Sequence, residues 1–478
     1  MPDIILFRRG PLVQMIIINR SGGRYLTVEQ EVLKKLKPTP QEERQLFKVV
    51  EDLIERAKQL IKDRGIVAEP LMVGSVAKGT FLKMPDLDLF IMFPVTTPLE
   101  KVQREALSLG EALLEAPEKR YAQHPYLRGK YKGFDTEVVP CFKVDRAGAK
   151  MSAVDRTPFH TKYVMEHLRP GQGDEIRLFK AFLKGIGIYG AEIAVEGFSG
   201  YLCEIMVLKF GTFQEVLKAA AHFDRKVRLR LDEGKFPAMS SAFIFIDPVD
   251  PERNVAAPVS EASFSLFIHA ARAYLTDPSE RFFFPGPVEV LKEGAIIKAI
   301  QDRGTEVVGV EVAVPEVVED IYASQVSKAE RALEDLLEKS GFPMVKGHGF
   351  IVQTPSEGRK GKALVVLETG VKELSASYIH HGPEVGHPNE KDFLDNWKDH
   401  PRKAGRPHIK DRRWAVYVKR EFRRPIDLVA AKLVTLNLGK QLNLEAKGSF
   451  RTLDLEALAK TFPTQMSEFL DDRFPWER

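Results

Sequence analysis

The stretch VGSVAKGTFLKMPDLDLFIMFP, residues 73–94, decides the fold. A short apolar run ends at a Gly-Ser pair, and the triplet Asp-Leu-Asp then leads into a second apolar run. Residues i and i+2 of a strand share a face, so Asp86 and Asp88 point together while the leucines beside them face the core. Two carboxylates this close repel each other unless a cation lies between them, and an all-oxygen site favours Mg²⁺. The pattern predicts a metal site beside a turn where Gly74 and Ser75 let a phosphate approach the backbone.

A third carboxylate comes from the later stretch FDTEVVPC, residues 134–141. Asp135 and Glu137 again stand at i and i+2, so residue spacing leaves both open as the third ligand. Three acidic groups from two strands would hold two Mg²⁺ ions for an in-line phosphoryl displacement. A solvated turn is the alternative for an isolated Asp-x-Asp, and the Gly-Ser turn upstream favours the metal site.

Composition predicts a folded chain of several domains. The 478 residues are 44% hydrophobic and 29% charged, which suggests about three domains and excludes a disordered, collagen-like or membrane-spanning protein. The net charge of +4 is small, so any basic surface must be local. The two cysteines, Cys141 and Cys203, stand beside apolar residues and predict buried, reduced thiols in a cytoplasmic protein.

Apolar periodicity predicts an α+β order of elements. Helices are predicted over VEQEVLKKL and over the stretch after Pro38, with Thr39 as the N-cap of the second. The runs EPLMVGS, DLDLFIMFP and FDTEVVPCFKV read as strands, with the helix KVQREALSLGEALLEA between the second and third. The chain then turns helical from about Glu166, and strands and helices alternate after AFIFIDPVD.

The Gly-Ser turn, the Asp-x-Asp triplet and the later strand carboxylate together resemble the polymerase-β-like nucleotidyltransferases. Within that superfamily the chain is similar to the archaeal-type (class I) CCA-adding enzymes, which are tRNA nucleotidyltransferases. The matching stretches are VGSVAKGT, DLDLFI, HPYLRGKYKGFDTEVVPC, SAVDRTPFH, EIRLFKAFLKGIGIYGAE, GFSGYLCE and DPVDPERNVAA.

The resemblance begins near Val28 and implies an α+β multidomain protein. It implies a nucleotidyltransferase head with an α/β sheet over residues 28–165, a helical central domain over 166–285 and a tRNA-binding α+β body and tail over 286–478. Residues 1–27 fall outside it and are predicted to form an N-terminal extension without fixed structure.

The resemblance also implies roles for individual residues. Asp86, Asp88 and Glu137 match the catalytic metal ligands, although the family usually has Asp where this chain has Glu137 and often has Glu at the first position. Asp135 therefore stays a rival, with Glu137 favoured. The positions that match nucleotide contacts are Gly74, Ser75, Lys78, His160, Lys180, Tyr189 and Arg253, the last of which is expected to help read the base.

Three of these side chains have ordinary structural explanations as well. Lys180 is predicted from its helix pattern alone to be a solvated lysine, because Phe179 and Phe182 supply the apolar face. His160 could cap a helix, and Tyr189 could be a packed aromatic residue. Only the resemblance favours nucleotide binding for them.

The implied activity is template-independent addition of C, C and A to tRNA 3′ ends from CTP and ATP, with two Mg²⁺ ions as cofactors. The expected partners are the tRNA acceptor stem and 3′ end, CTP and ATP, with no membrane and with a homodimer allowed. One alternative is another RNA-end nucleotidyltransferase, such as a poly(A)-type enzyme. A second is a non-catalytic RNA-binding protein on the same scaffold.

Several other motifs are not expected to carry function. GIGIYG, residues 185–190, spells a dinucleotide-binding fingerprint but follows a helix pattern, so a helix C-cap and turn are predicted. GSVAKGT is not a Walker A loop, and GFSGY is not a nucleophile elbow. His380, His381 and His387 are predicted to lie in one polar loop, without the ligand spacing of a zinc site.

A basic segment, residues 402–424, contains ten Lys or Arg residues and two acids, with Trp414 and Tyr417 among them. Basic residues interleaved with aromatics suit a nucleic-acid backbone, while a solvated sheet edge is an equal alternative on charge alone. The stretch RKVRLRL, residues 225–231, is predicted to contribute to the same surface. A tRNA-binding protein should recognise the duplex by its shape and 2′-hydroxyls.

Overall fold

The computed structural model describes residues 3–9, 12–18, 26–121, 125–149, 152–317, 319–356 and 358–478. The chain divides into two compact units. The first unit comprises Met1–Pro287 with Arg473–Arg478, and the second comprises Val288–Asp472.

The strands of the first unit are β1 (Asp3–Arg9), β2 (Leu12–Ile18), β3 (Glu69–Val73), β4 (Leu87–Pro94), β5 (Glu115–Tyr121), β6 (Pro125–Tyr131), β7 (Phe134–Lys143), β8 (Val227–Leu229) and β9 (Phe243–Phe245). Its helices are α1 (Val28–Leu36), α2 (Pro40–Asp63), α3 (Gly74–Lys78), α4 (Leu99–Leu113), α5 (Thr157–His167), α6 (Gln172–Gly185), α7 (Gly200–Phe210), α8 (Phe213–Ala221) and α9 (Glu261–Thr276). In the stretch predicted to be an extension, β1 and β2 pair antiparallel, while residues 1–2, 10–11 and 19–25 lie outside the described residues.

A five-stranded sheet in the order β3-β4-β7-β6-β5 carries the predicted carboxylates. Strands β4 and β7 run parallel, and the other neighbours are antiparallel. Alternate β4 residues such as Leu87 and Leu89 pack with helices α2 and α4, while Phe90 packs on the opposite face with Val139 and Cys141. Because side chains alternate along a strand, Asp88 lies on the face of Phe90, away from the main core.

Helices α6 to α9 surround an aromatic core that extends to the C-terminal residues of the chain. Phe182 contacts Phe213 and Tyr274 edge to face, and Trp476 stacks on Phe282 at 5.0 Å between ring centroids. Such aromatic contacts add to the large apolar area that each ring buries. The core fixes α6 and α7, which carry the site residues described below.

The second unit has strands β10 (Glu306–Val314), β11 (Met344–Gln353), β12 (Gly361–Thr369), β13 (Ser377–Glu384), β14 (His408–Lys410), β15 (Arg413–Lys419) and β16 (Phe450–Leu453). Its helices are α10 (Glu293–Arg303), α11 (Glu319–Lys339), α12 (Glu390–Lys398), α13 (Pro425–Lys432), α14 (Lys440–Gly448), α15 (Leu455–Thr461) and α16 (Pro463–Leu470). An antiparallel sheet, β11-β12-β10-β16, packs α11, α13 and α14 on one face and α10, α15 and α16 on the other. A second sheet has the order β13-β15-β14.

Most predicted elements are confirmed, including α4, the strands β3, β4 and β7, and the N-cap at Thr39, which forms a capping box with Glu42. The prediction for GIGIYG is also confirmed, since α6 ends at Gly185 and Gly187 turns the chain at a φ of +82°. The polar loop predicted around the histidines was wrong, because His380 and His381 lie in β13, paired with β15. Their polarity reflects exposure on a small outer sheet, which a strand tolerates on its solvent face.

Candidate functional site

The sheet register places Asp88 beside Glu137. The two residues are paired in the parallel ladder between β4 and β7, and Val73, the last residue of β3, is paired with Asp88 on the other side. Asp86 immediately precedes β4 and is exposed, whereas Asp88 and Glu137 are half-buried. Three acidic side chains therefore gather at one end of two parallel strands.

Burial and the neighbouring carboxylates shift the pKa of one of these residues, Asp88. Burial, together with the charges of Glu137 and Asp86, raises the pKa of Asp88 to about 7, while Lys78 and Lys180 oppose the shift. Such repulsion is what a divalent cation relieves. In the described part of the chain, no three acidic, histidine or cysteine side chains stand at metal-ligand spacing.

The outer acidic residues have cationic neighbours. Asp86 lies 3.8 Å from a guanidinium nitrogen of Arg128, and Asp135 lies 3.8 Å from the ammonium of Lys130. Both pairs are largely exposed, so each contributes little to stability and neither holds its carboxylate permanently.

Gly74 lies against the carboxylate of Asp88. Its φ is +71°, and a Cβ at this position would lie 1.8 Å from Oδ2 of Asp88. Only glycine satisfies both the left-handed backbone and this close approach. Ser75 follows as the second residue of α3, half-buried, and its carbonyl accepts the Thr80 N–H at 3.0 Å.

Two of the predicted nucleotide contacts meet at a carboxylate that sequence analysis did not assign. The ammonium of Lys78 donates to Oε2 of Glu204 at 2.5 Å, and that of Lys180 donates to Oε1 at 3.0 Å. Burial by itself would raise the pKa of Glu204, but Lys180 and Lys78 outweigh it and hold the pKa at about 2. Lys180 is 2% exposed, so the solvated helix lysine predicted from its pattern alone was wrong.

Tyr189 is brought to the same place by the start of α7. A Cβ on Gly200 would lie 3.0 Å from the Tyr189 hydroxyl and 3.7 Å from Cε of Lys180. Burial raises the pKa of the Tyr189 hydroxyl. Because Gly200 and Glu204 are four residues apart on one helix face, α7 contacts Tyr189 and Lys180 with consecutive turns.

His160 and Arg253 share a second buried carboxylate, Asp247. The Nε2 atom of His160 and Nη1 of Arg253 each lie 2.9 Å from Oδ2 of Asp247, and the Tyr201 hydroxyl donates to Oδ1 at 3.1 Å. The rings of His160 and Tyr201 stack at 3.9 Å. His160 thus lies in the first turn of α5 with its ring engaged by Asp247.

Burial also sets the titration of this cluster. It lowers the pKa of His160 despite the opposing hydrogen bond to Asp247. Burial would raise the pKa of Asp247, but hydrogen bonds from His160 and Arg253 hold it at about 2. Asp247 therefore stays ionised and can orient a neighbouring guanidinium.

Sequence reasoning missed Glu204, Asp247 and Thr80. Glu204 is the one acid in the predominantly apolar helix GYLCEIMVLKF, and a carboxylate in the middle of such a helix was the available signal. Asp247 ends the buried strand run AFIFID in the same way. Their partners could not be inferred, since Lys78 is 126 residues from Glu204 in sequence.

The basic segment 402–424 forms the hairpin β14–β15 and its flanks. Asp411 and Arg412 make the two-residue turn with positive φ angles, as a tight hairpin requires. Tyr417 is 44% exposed and stacks with His408, whereas Trp414 is held by a hydrogen bond to Glu390. The Tyr417 ring is thus partly exposed at this basic surface.

Three family models match consecutive parts of the chain. They are a nucleotidyltransferase domain over residues 50–160, the second domain of tRNA nucleotidyltransferase over 174–284 and the C-terminal domain of CCA-adding enzymes over 303–454.

The chain is also similar along most of its length to curated proteins described as CCA-adding enzymes. The protein from Thermoplasma acidophilum is 35% identical over 93% of this chain and 99% of its own length. The protein from Haloarcula marismortui is 34% identical over 93% and 98%, and that from Thermococcus gammatolerans is 37% identical over 77% and 82%. Among solved structures, the poly(U) polymerase Cid1 matches with a TM-score of 0.42 and 14% identity over 52% of this chain and 94% of that one.

Within the residues that the structure describes, no helix is both long enough and apolar enough to cross a bilayer.

Proposed function

Because this chain belongs to the family of CCA-adding enzymes, which are tRNA nucleotidyltransferases, we propose that it adds C, C and A to tRNA 3′ ends from CTP and ATP. The observation that carries the proposal is the pairing of Asp88 with Glu137 directly against Gly74. This arrangement sets acidic side chains beside a turn whose backbone a phosphate can approach closely, which suits nucleotidyl transfer.

Asp86, Asp88 and Glu137 are the residues that would hold two Mg²⁺ ions. Their oxygen donors suit Mg²⁺, and the pKa of Asp88 is raised by burial and by the charges of Glu137 and Asp86, which a cation would neutralise. Ions held there would supply Lewis-acid chemistry, which would lower the pKa of the terminal 3′-hydroxyl and stabilise the negative charge of the departing pyrophosphate. Glu137 is favoured over Asp135 as the third ligand because Glu137 is the residue opposite Asp88.

The cationic side chains around this centre would bind the triphosphate. Lys78 and Lys180 lie close enough to lower the pKa of Asp88, and they would neutralise phosphate oxygens next to the reacting phosphorus. Gly74 and Ser75 would permit close approach of the phosphates, and Tyr189 would line the pocket beside Lys180.

Base choice without a nucleic-acid template requires hydrogen bonds to the base edge. Arg253 is held by Asp247 in a fixed orientation and keeps guanidinium donors for a base, while His160 is held by the same carboxylate. A site of oriented, half-buried polar groups rejects the wrong base edge because those groups are then left unpaired.

The basic segment 402–424 would bind the tRNA backbone. Its hairpin exposes Tyr417 and a row of cationic side chains, which suits phosphate neutralisation and stacking. The acceptor stem as the bound region, the cytoplasmic location and a homodimer remain predictions.

The experiment supplies the purified full-length chain with tRNA lacking its 3′ CCA, Mg²⁺ and labelled CTP and ATP. Extension that stops after CCA is expected. Asp88→Ala should abolish extension with tRNA affinity nearly intact, whereas Asp63→Ala, at an exposed helix position, should extend normally. An open-ended tail would indicate a poly(A)-type enzyme, and tRNA binding without incorporation would indicate a non-catalytic RNA-binding protein.

The two candidates for the third ligand are separated by a matched pair of amides. Glu137→Gln should reduce extension at least ~100-fold, as expected when a group at the reacting centre is lost, whereas Asp135→Asn should have little effect. The reverse result would assign the role to Asp135.

A further inference from the structure

Glu204 is a buried carboxylate that joins three separate segments of the first unit. It is 1% exposed on α7, and it accepts hydrogen bonds from Lys78 on α3, from Thr80 just after α3 and from Lys180 on α6. A buried carboxylate is costly unless it is paired and hydrogen-bonded, and here both oxygens are engaged. A side chain that served packing alone would be apolar at this position.

The two lysines use their hydrogen bonds differently. Lys180 is directed inward, with its ammonium 3.0 Å from Glu204 Oε1, 3.1 Å from the Thr80 hydroxyl and 3.4 Å from the Thr80 carbonyl. Lys78 donates to Glu204 Oε2 at 2.5 Å, and an ammonium has three N–H donors. Lys78 therefore retains N–H donors for an incoming anion, while its hydrogen bond to Glu204 fixes its position.

The charges around Glu204 leave a surplus of one positive charge. Two ammonium groups face one carboxylate, and Lys78 is the last residue of the short helix α3, which begins at Gly74 against the carboxylate of Asp88. A flexible lysine stem loses much rotamer freedom when it binds a ligand, and holding it in advance removes that cost.

We propose that Glu204 is a positioning residue for nucleotide binding, which holds Lys78 in the orientation that receives the triphosphate and fixes Lys180 behind it as a buried positive charge. The proposal rests on the proposed function, since the triphosphate is that of CTP or ATP. Glu204 acts through the two lysines and does not itself touch the nucleotide.

The test compares Glu204→Gln with the wild-type full-length protein in steady-state CMP and AMP incorporation. Removing one charge from a buried charge-assisted pair should raise the KM for CTP and for ATP at least tenfold, with kcat changed less than threefold and tRNA affinity unchanged. Glu215→Gln is the matched control, because Glu215 makes an exposed ion pair with Lys218 on α8. It should leave both kinetic constants unchanged.

A double-mutant cycle separates positioning from general destabilisation. Lys78→Met should raise the KM strongly in the wild type but add little in the Glu204→Gln background, because Lys78 is then no longer held in place. Independent, multiplying effects of the two substitutions would overturn the proposal, as would an unchanged KM for Glu204→Gln.

If Glu204→Gln does not fold, Thr80→Val decides the question. It removes the hydroxyl that bridges Glu204 and Lys180 but keeps all charges. A KM raised about threefold at constant kcat would support the proposal, and an unchanged KM would overturn it.

Failure of the proposed function would be distinguishable. A wild-type protein that extends no tRNA would refute the function. The role of Glu204 would then be judged by calorimetric titration with CTP, where weaker binding by Glu204→Gln supports it and equal binding refutes it.

Discussion

Gly74→Ala should inactivate the enzyme by displacing a single carboxylate. The new Cβ would lie 1.8 Å from Oδ2 of Asp88, and a separation of at least 3.0 Å is needed, so the carboxylate or the turn must shift by about 1.2 Å. A misplacement of about 1 Å at a reacting centre costs on the order of 100-fold in rate. The φ of +71° adds about 1–2 kcal/mol of backbone strain to the folded state.

The assay measures kcat for CMP incorporation into tRNA lacking CCA, together with the free energy of unfolding in denaturant. Gly65→Ala is the matched control, because its φ is +61° but its Cβ would have no neighbour within 4 Å. Both variants should lose about 1–2 kcal/mol of stability, and only Gly74→Ala should lose about 100-fold in kcat.

Equal activity of the two variants would refute the reasoning. It would mean that Asp88 can move by more than 1 Å without consequence, and the assignment of Asp88 to the reacting centre would have to be abandoned.

Three further perturbations test other parts of the site. The pKa of Asp88 is about 7 in the folded protein, compared with an ordinary value of 3.8. Ionisation of Asp88 therefore lowers the free energy of unfolding by its full amount above pH 7 and not at all below about pH 4. In metal-free buffer, Asp88→Asn should therefore raise Tm by a few degrees at pH 8 but not at pH 4, and a lower Tm at pH 8 would contradict this. Asp247→Asn should release Arg253 and reduce the preference for CTP over ATP by about tenfold or more. The preference is measured as the ratio of the kcat/KM values for the two nucleotides on tRNA that lacks its first C. An unchanged ratio would show that Arg253 does not read the base. The double variant Lys410→Gln with Arg412→Gln should weaken tRNA binding and reduce the steepness of log affinity against log salt concentration by about 1 for each charge removed. Lys298→Gln, which changes an exposed lysine on α10, should alter neither quantity. Equal slopes for the two variants would exclude the hairpin from the RNA-binding surface.

Much of the first unit could be read from local pattern, because the forces that set it act over a few residues. The alternation in DLDLFIMFP predicted a strand with both aspartates on one face, and β4 runs through it. Thr39 was predicted to be a helix N-cap, and α2 begins directly after it. Strands β5 and β6 were not anticipated, because EAPEKRY and PYLRGKY are polar and contain proline, and only pairing in the sheet stabilises them.

The amino-acid order by itself determined the acidic pair, its glycine turn and the predominantly apolar helix that carries Glu204, since each depends on neighbours along the chain. The three-dimensional arrangement decided which charges meet: Glu204 with Lys78 and Lys180, and Asp247 with His160 and Arg253. A buried charge must find its counter-charge wherever packing brings one. No local spacing encodes partners as distant as Lys78, 126 residues from Glu204, and His160, 87 residues from Asp247.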